Sequence, residues 1–74
     1  MSHKLAKMLL ITMVCELIAD NYHLTLSEAR DRFYSSRTIK LLDDDESGLY
    51  GDSAWYIFSV YEDELKRKRD NSSK

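Results

Sequence analysis

The residues best equipped for chemistry lie in "LLDDDESGLYGDSAWYIFSVYEDELKRKR", positions 41–69. An acidic run leads to a glycine-spaced joint, an aromatic block and a basic run. A calcium loop needs oxygen ligands at alternate positions, a glycine at the sixth and a glutamate at the twelfth. Counted from Asp43, Gly48 falls at the sixth position, but Ala54 falls at the twelfth and Gly51 offers no side-chain oxygen at the ninth. The acids therefore read as a solvated turn, in which Asp43, Asp44 and Asp45 can orient a basic partner surface.

The basic run Lys66–Arg69 has phosphate-contacting character. It also occupies the last turn of an expected helix, where cations offset the helix dipole. Glu62 precedes Lys66 by four residues, Asp63 precedes Arg67 and Glu64 precedes Lys68, the favourable order for pairing along a helix. Between the two charged runs, Trp55, Tyr56, Phe58 and Tyr61 form an aromatic block. The aromatic and β-branched content of residues 54–58 would also suit a strand. Helical spacing nevertheless carries through the segment, turns Ala54, Ile57, Phe58, Tyr61 and Leu65 inward and leaves Trp55 and Tyr56 toward the edge. Residues of those types anchor protein interfaces. Trp55, Tyr56 and Tyr50 are therefore the candidate partner-binding aromatics.

Catalytic and cofactor chemistry finds little footing. No serine or cysteine stands in a nucleophile–base motif, and there is no glycine-rich phosphate cradle. His3 and His23 are far apart, and Cys15 lies among apolar residues, where a thiol usually packs rather than reacts. The expectation is a protein that is not an enzyme and carries no catalytic residue, cofactor or metal. One cysteine rules out an intrachain disulfide. Stability must come from packing, within the chain or against a second one.

Seventy-four residues suffice for one domain, expected over 1–69 with a disordered tail at 70–74. The absence of proline and the presence of only two glycines favour helices over a turn-rich β fold. A first helix is expected from Ser2 to Asn21, capped by Ser2. Its apolar residues leave a thin polar stripe, Thr12, Glu16 and Asp20, where an ordinary surface helix is apolar over one face only. Such a helix is central in its domain or buried against another chain. "TLSE" places Thr25 and Glu28 in a capping box, with Leu24 and Ala29 at staple positions. This second helix is expected to turn Leu26, Ala29, Phe33 and Tyr34 inward, and "YSSRT" ends it. A third, from Arg37 to Asp44, has Ile39, Leu41 and Leu42 as anchors and acids at its C-terminus, the unfavourable sign. That conflict calls for fraying or for cations from elsewhere. Gly48 and Gly51 make the joint, and Asp52 or Ser53 caps the last helix. The fold class expected is an all-α bundle of three to four helices.

"VCELIADNYHLTLSEARDRFYSS" resembles a family of short bacterial helical proteins of unknown function. Cys15–Glu16, Leu26–Ser27–Glu28–Ala29 and the block from Leu49 to Leu65 occupy the places of that family's pattern over nearly the whole chain. The family often has a Leu-His pair before the last helix, whereas here Leu49 is followed by Tyr50. The resemblance implies a companion role, such as an accessory or antitoxin-like subunit beside a larger protein, some of those being similar to ADP-ribosyltransferase-type toxins.

A formal charge of −2 gives no long-range attraction to a phosphate backbone, which weighs against nucleic acid. The N-terminus has the outline of a secretory signal, but Glu16 interrupts its apolar run and no small-residue cleavage site follows. A cytoplasmic protein without a membrane role is expected. It would bind a protein partner through helices 1 and 4, with a homodimer through helix 1 as one form of association. The second reading is a helix-turn-helix regulator with Arg30, Arg32, Arg37 and Lys40 facing phosphates. The third is a self-associating structural module.

Overall fold

The computed structural model describes the backbone of residues 4–72 and the side chains of residues 4–68. Helix α1 spans Lys4–Tyr22, α2 Leu26–Tyr34, α3 Arg37–Asp43 and α4 Ala54–Ser72. Two short 3₁₀ turns, Asp45–Ser47 and Leu49–Gly51, carry the chain from α3 to α4. There is no strand among the described residues, and the chain is the expected all-α bundle of four helices.

The local signals explain most of the boundaries. The expected Ser2 cap lies outside the described residues. Helix α1 ends where His23 takes a left-handed conformation, φ 55°, and the Leu24 N–H donates to the Ala19 carbonyl at 2.9 Å. That six-to-one bond is the Schellman closure of a helix C-terminus. The capping box of α2 is complete: the Glu28 N–H donates to Thr25 Oγ1 at 3.1 Å, and the Thr25 N–H donates to Glu28 Oε1 at 3.0 Å. Those bonds hold the Glu28 carboxyl below its ordinary range. Ser35 closes α2, and Ser36 opens α3 by accepting from the Ile39 N–H. Ser53, rather than Asp52, caps α4 by accepting from the Tyr56 N–H at 3.3 Å. The backbone stays helical past Arg69 as far as Ser72.

The core lies where α1, α2 and α4 meet, with α3 packed against α4. Val14, Cys15 and Ile18 enter it from α1, Ala29 and Phe33 from α2, Leu42 from α3, and Ala54, Ile57, Phe58 and Tyr61 from α4. All four of those α4 residues were expected inward, with Leu65 half-buried beside them. Phe33 and Tyr61 meet edge to face, centroids 5.9 Å apart at 74°. Each fully buried aliphatic or aromatic side chain contributes roughly 1.5–3 kcal/mol through removal from water. Burial raises the Cys15 thiol and the Tyr61 phenol above their ordinary pKa ranges.

Three inward expectations are corrected. Leu26, Tyr34 and Leu41 are about half exposed, because α2 and α3 are short and the bundle covers only one side of each. Thr38 takes an interior place that apolar counting does not assign to it, at 1% exposure. Of the three acid-first pairs on α4, Glu64–Lys68 is closed at 3.5 Å and is the one ion pair of the set among the described residues.

Candidate interaction surface

Helix α1 is the least conventional element. Its buried face is Val14, Cys15 and Ile18, with Leu10, Ile11, Leu17 and Ala19 half-covered. Leu5, Met8, Leu9 and Met13 remain 72%, 54%, 58% and 49% exposed. Leu5, Leu9 and Met13 are spaced by four, so they form one row along the helix. Glu16 and Asp20 belong to the neighbouring row Met8–Thr12–Glu16–Asp20 on the same solvent face, both exposed and neither paired with a cation among the described residues. The polar stripe expected on α1 is therefore the C-terminal half of its solvent face, and the other half is mostly apolar, with Lys4 exposed at its start.

Met13 carries this row into an open groove of about 770 Å³ between α1, the start of α2 and the start of α4. Its apolar walls are Leu10, Met13, Leu17, Leu24, Leu26 and Trp55, and its acids are Glu16 and Asp20. Ser53 caps α4 at this edge and fixes the turn from which the Trp55 indole projects, 68% exposed. The half-exposed Leu26 now has a place, as a wall of the groove.

The six residues singled out in sequence fall into separate settings. Trp55 stands on the groove, and Tyr56 is exposed on the same turn. Asp43, Asp45 and Tyr50 instead gather around Lys7. Its ammonium donates to the Asp43 carbonyl at 2.8 Å and to Asp45 Oδ1 at 2.5 Å, and sits 5.6 Å from the Tyr50 ring centroid. The hydrogen bond to Asp45 holds Lys7 above its ordinary range, helped by the nearby charges of Asp45 and Asp43 against partial desolvation. This is the cation that the acidic C-terminus of α3 called for, supplied by α1. Asp44 accepts from the Glu46 N–H and starts the first 3₁₀ turn. The acids that line the groove are Glu16 and Asp20, and sequence reasoning did not assign them to a site. The signal that could have found them is the Thr12–Glu16–Asp20 stripe itself, which lies beside the Leu5–Leu9–Met13 row on the solvent face.

Among the described residues no three His, Cys, Asp or Glu side chains come together to hold a metal ion, and no single helix is long and apolar enough to cross a membrane. Comparison with protein-family models, curated proteins and solved structures found no match.

Proposed function

We propose that the protein is a small non-enzymatic interaction module of the cytoplasm, an accessory or antitoxin-like subunit that acts by covering a surface of a partner protein. The observation that carries this reading is the exposed row Leu5–Leu9–Met13 running into the Trp55 groove. Large apolar side chains grouped on a soluble chain mark an interaction surface more often than scattered ones do, and a Trp at the edge of a groove is the residue type that dominates binding energy. The family resemblance at Cys15–Glu16 and Leu26–Ala29 supports the companion role.

A helix-turn-helix reading draws less support. Such a module directs the first residues of its second helix at base edges. Here the first amides of α3, at Arg37 and Thr38, donate to the Glu64 carboxylate, a negative charge at the point that would approach phosphate.

Photo-crosslinking in the source cells tests the proposal. A benzoylphenylalanine replaces Leu9 or Met13, and Asp63 or Lys66 as controls. One heterologous product from the first two positions and none from the controls is the expected result. Unmodified monomer at all four positions would overturn the reading.

A further inference from the structure

From the order of residues along α1, we infer that the occupant of this surface is an amphipathic helix whose apolar stripe is followed by a pair of basic residues. The inference rests on the interaction reading above and specifies the partner's chemistry. From Leu5 to Asp20 the solvent face extends about 22 Å along the helix axis, the length of a four-turn partner helix. It is apolar over Leu5, Met8, Leu9 and Met13, passes Thr12, and is acidic over Glu16 and Asp20. Trp55 and Leu26 rise beside the point where the two halves meet.

A helix laid in a groove reads its partner through side chains at successive turns, and specificity comes from what each turn meets. Leucine-like residues four apart would fit the first half. Lysine or arginine residues four apart would fit the second, close enough to both carboxylates for ion pairing. The segregation also fixes direction, because a reversed helix sets its cations against Leu5 and Leu9. Methionine, unbranched and polarisable, lets the apolar half accept side chains of varied shape. The charge pattern selects against a second copy as occupant. A chain of net charge −2 whose own exposed α1 face ends in Glu16 and Asp20 has no basic pair of matching spacing on that face to offer.

Two acetylated, amidated 18-residue alanine–glutamine helices serve as probes. Each carries three leucines four apart, followed by two lysines four apart in one peptide and two glutamates in the other. Binding to the full chain is read from the anisotropy of the labelled peptide and from Trp55 emission. The lysine peptide is expected to bind about tenfold more tightly, the scale of two exposed ion pairs, and to shift Trp55 emission to the blue. Glu16→Gln with Asp20→Asn should erase the difference between the peptides. Asp31→Asn with Asp63→Asn, the same change in net charge elsewhere, should leave it. Equal binding of both peptides would overturn the basic partner and leave the interaction reading standing. So would no binding by either peptide while Leu9 and Met13 still crosslink to one protein. A chain that doubles its mass and excludes both peptides would make the occupant a second copy and overturn the inference. Failure of the peptides and of the crosslinks together would remove the interaction reading as well.

Discussion

Glu64 reads in sequence as one of three acids paired with the basic run, and its contact with Lys68 is present. Its larger role is at another place. One carboxylate oxygen accepts from the Arg37 N–H at 2.8 Å, and the other accepts from the Thr38 N–H at 3.0 Å and the Thr38 hydroxyl at 2.8 Å. Partial burial acts to raise the Glu64 pKa, but those three bonds and Lys68 outweigh it and hold the carboxyl below its ordinary range. A carboxyl depressed in the folded state stabilises the fold fully above its unfolded value, about 4.3, and loses that contribution as pH falls through the folded value. Glu64→Gln should therefore lower stability at pH 7 by roughly 1–3 kcal/mol, the scale of charge-assisted hydrogen bonds. The gap from wild type in urea midpoints should close below about pH 4.3. A gap that stayed constant from pH 7 to pH 3 would mean that the charge is not what matters. No local pattern marks a carboxylate whose hydrogen-bond partners are 26 and 27 residues away, so this cap was not legible in the sequence. Lys7 and Asp45 were hidden in the same way, although the need for a cation at that helix end was visible.

Local chemistry made the helices legible wherever neighbouring residues complete it. Thr25 and Glu28 are three apart and satisfy each other, so the start of α2 was fixed by four residues of sequence. The inward face of α4 was less plain, since its apolar positions follow helical spacing while the aromatic and β-branched residues of its first half would also suit a strand; the segment is helical. The end of α1 was not legible, because the left-handed residue that closes it is His23 rather than the usual glycine or asparagine. Relieving that conformation with His23→Gly should stabilise the protein by about 0.5–1 kcal/mol, read as a higher urea midpoint. The joint before α4 separates the two glycines. Gly48 has φ 71°, where a side chain is strained, whereas Gly51 lies outside the left-handed region with open space around its Cα. Gly48→Ala should cost about 1 kcal/mol, and Gly51→Ala should be neutral or stabilising by a few tenths, in thermal or urea unfolding. Equal losses at both positions would show that something other than backbone conformation sets the cost.

At the scale of the whole molecule, the sequence pointed to a first helix more apolar than a small domain can cover, and Leu5, Met8, Leu9 and Met13 are what remains uncovered. Which residues those would be was not legible. α1 is apolar nearly all round, so its own pattern does not choose a buried side. The choice is made by where α2 and α4 lie, which depends on the His23 turn and on the long-range bonds of Glu64 and Lys7. With acids at the end of that face, the chain is expected to be a monomer of 8.7 kDa by light scattering over a hundredfold range of concentration. Trp55 should emit throughout like an indole in water. A dimer that forms with a blue shift in that emission would place α1 between two copies.

α3 has seven residues and borrows at both ends: Glu64 of α4 meets its first amides, and Lys7 of α1 meets its final carbonyl. A helix of that length does not persist alone in water. Its helical state is therefore tied to the contacts that α1 and α4 make with it, from opposite sides of it in the chain. The middle of the chain is helical because of its two ends, and α3 is expected to lose protection from hydrogen exchange together with the Lys7 and Glu64 contacts rather than by itself.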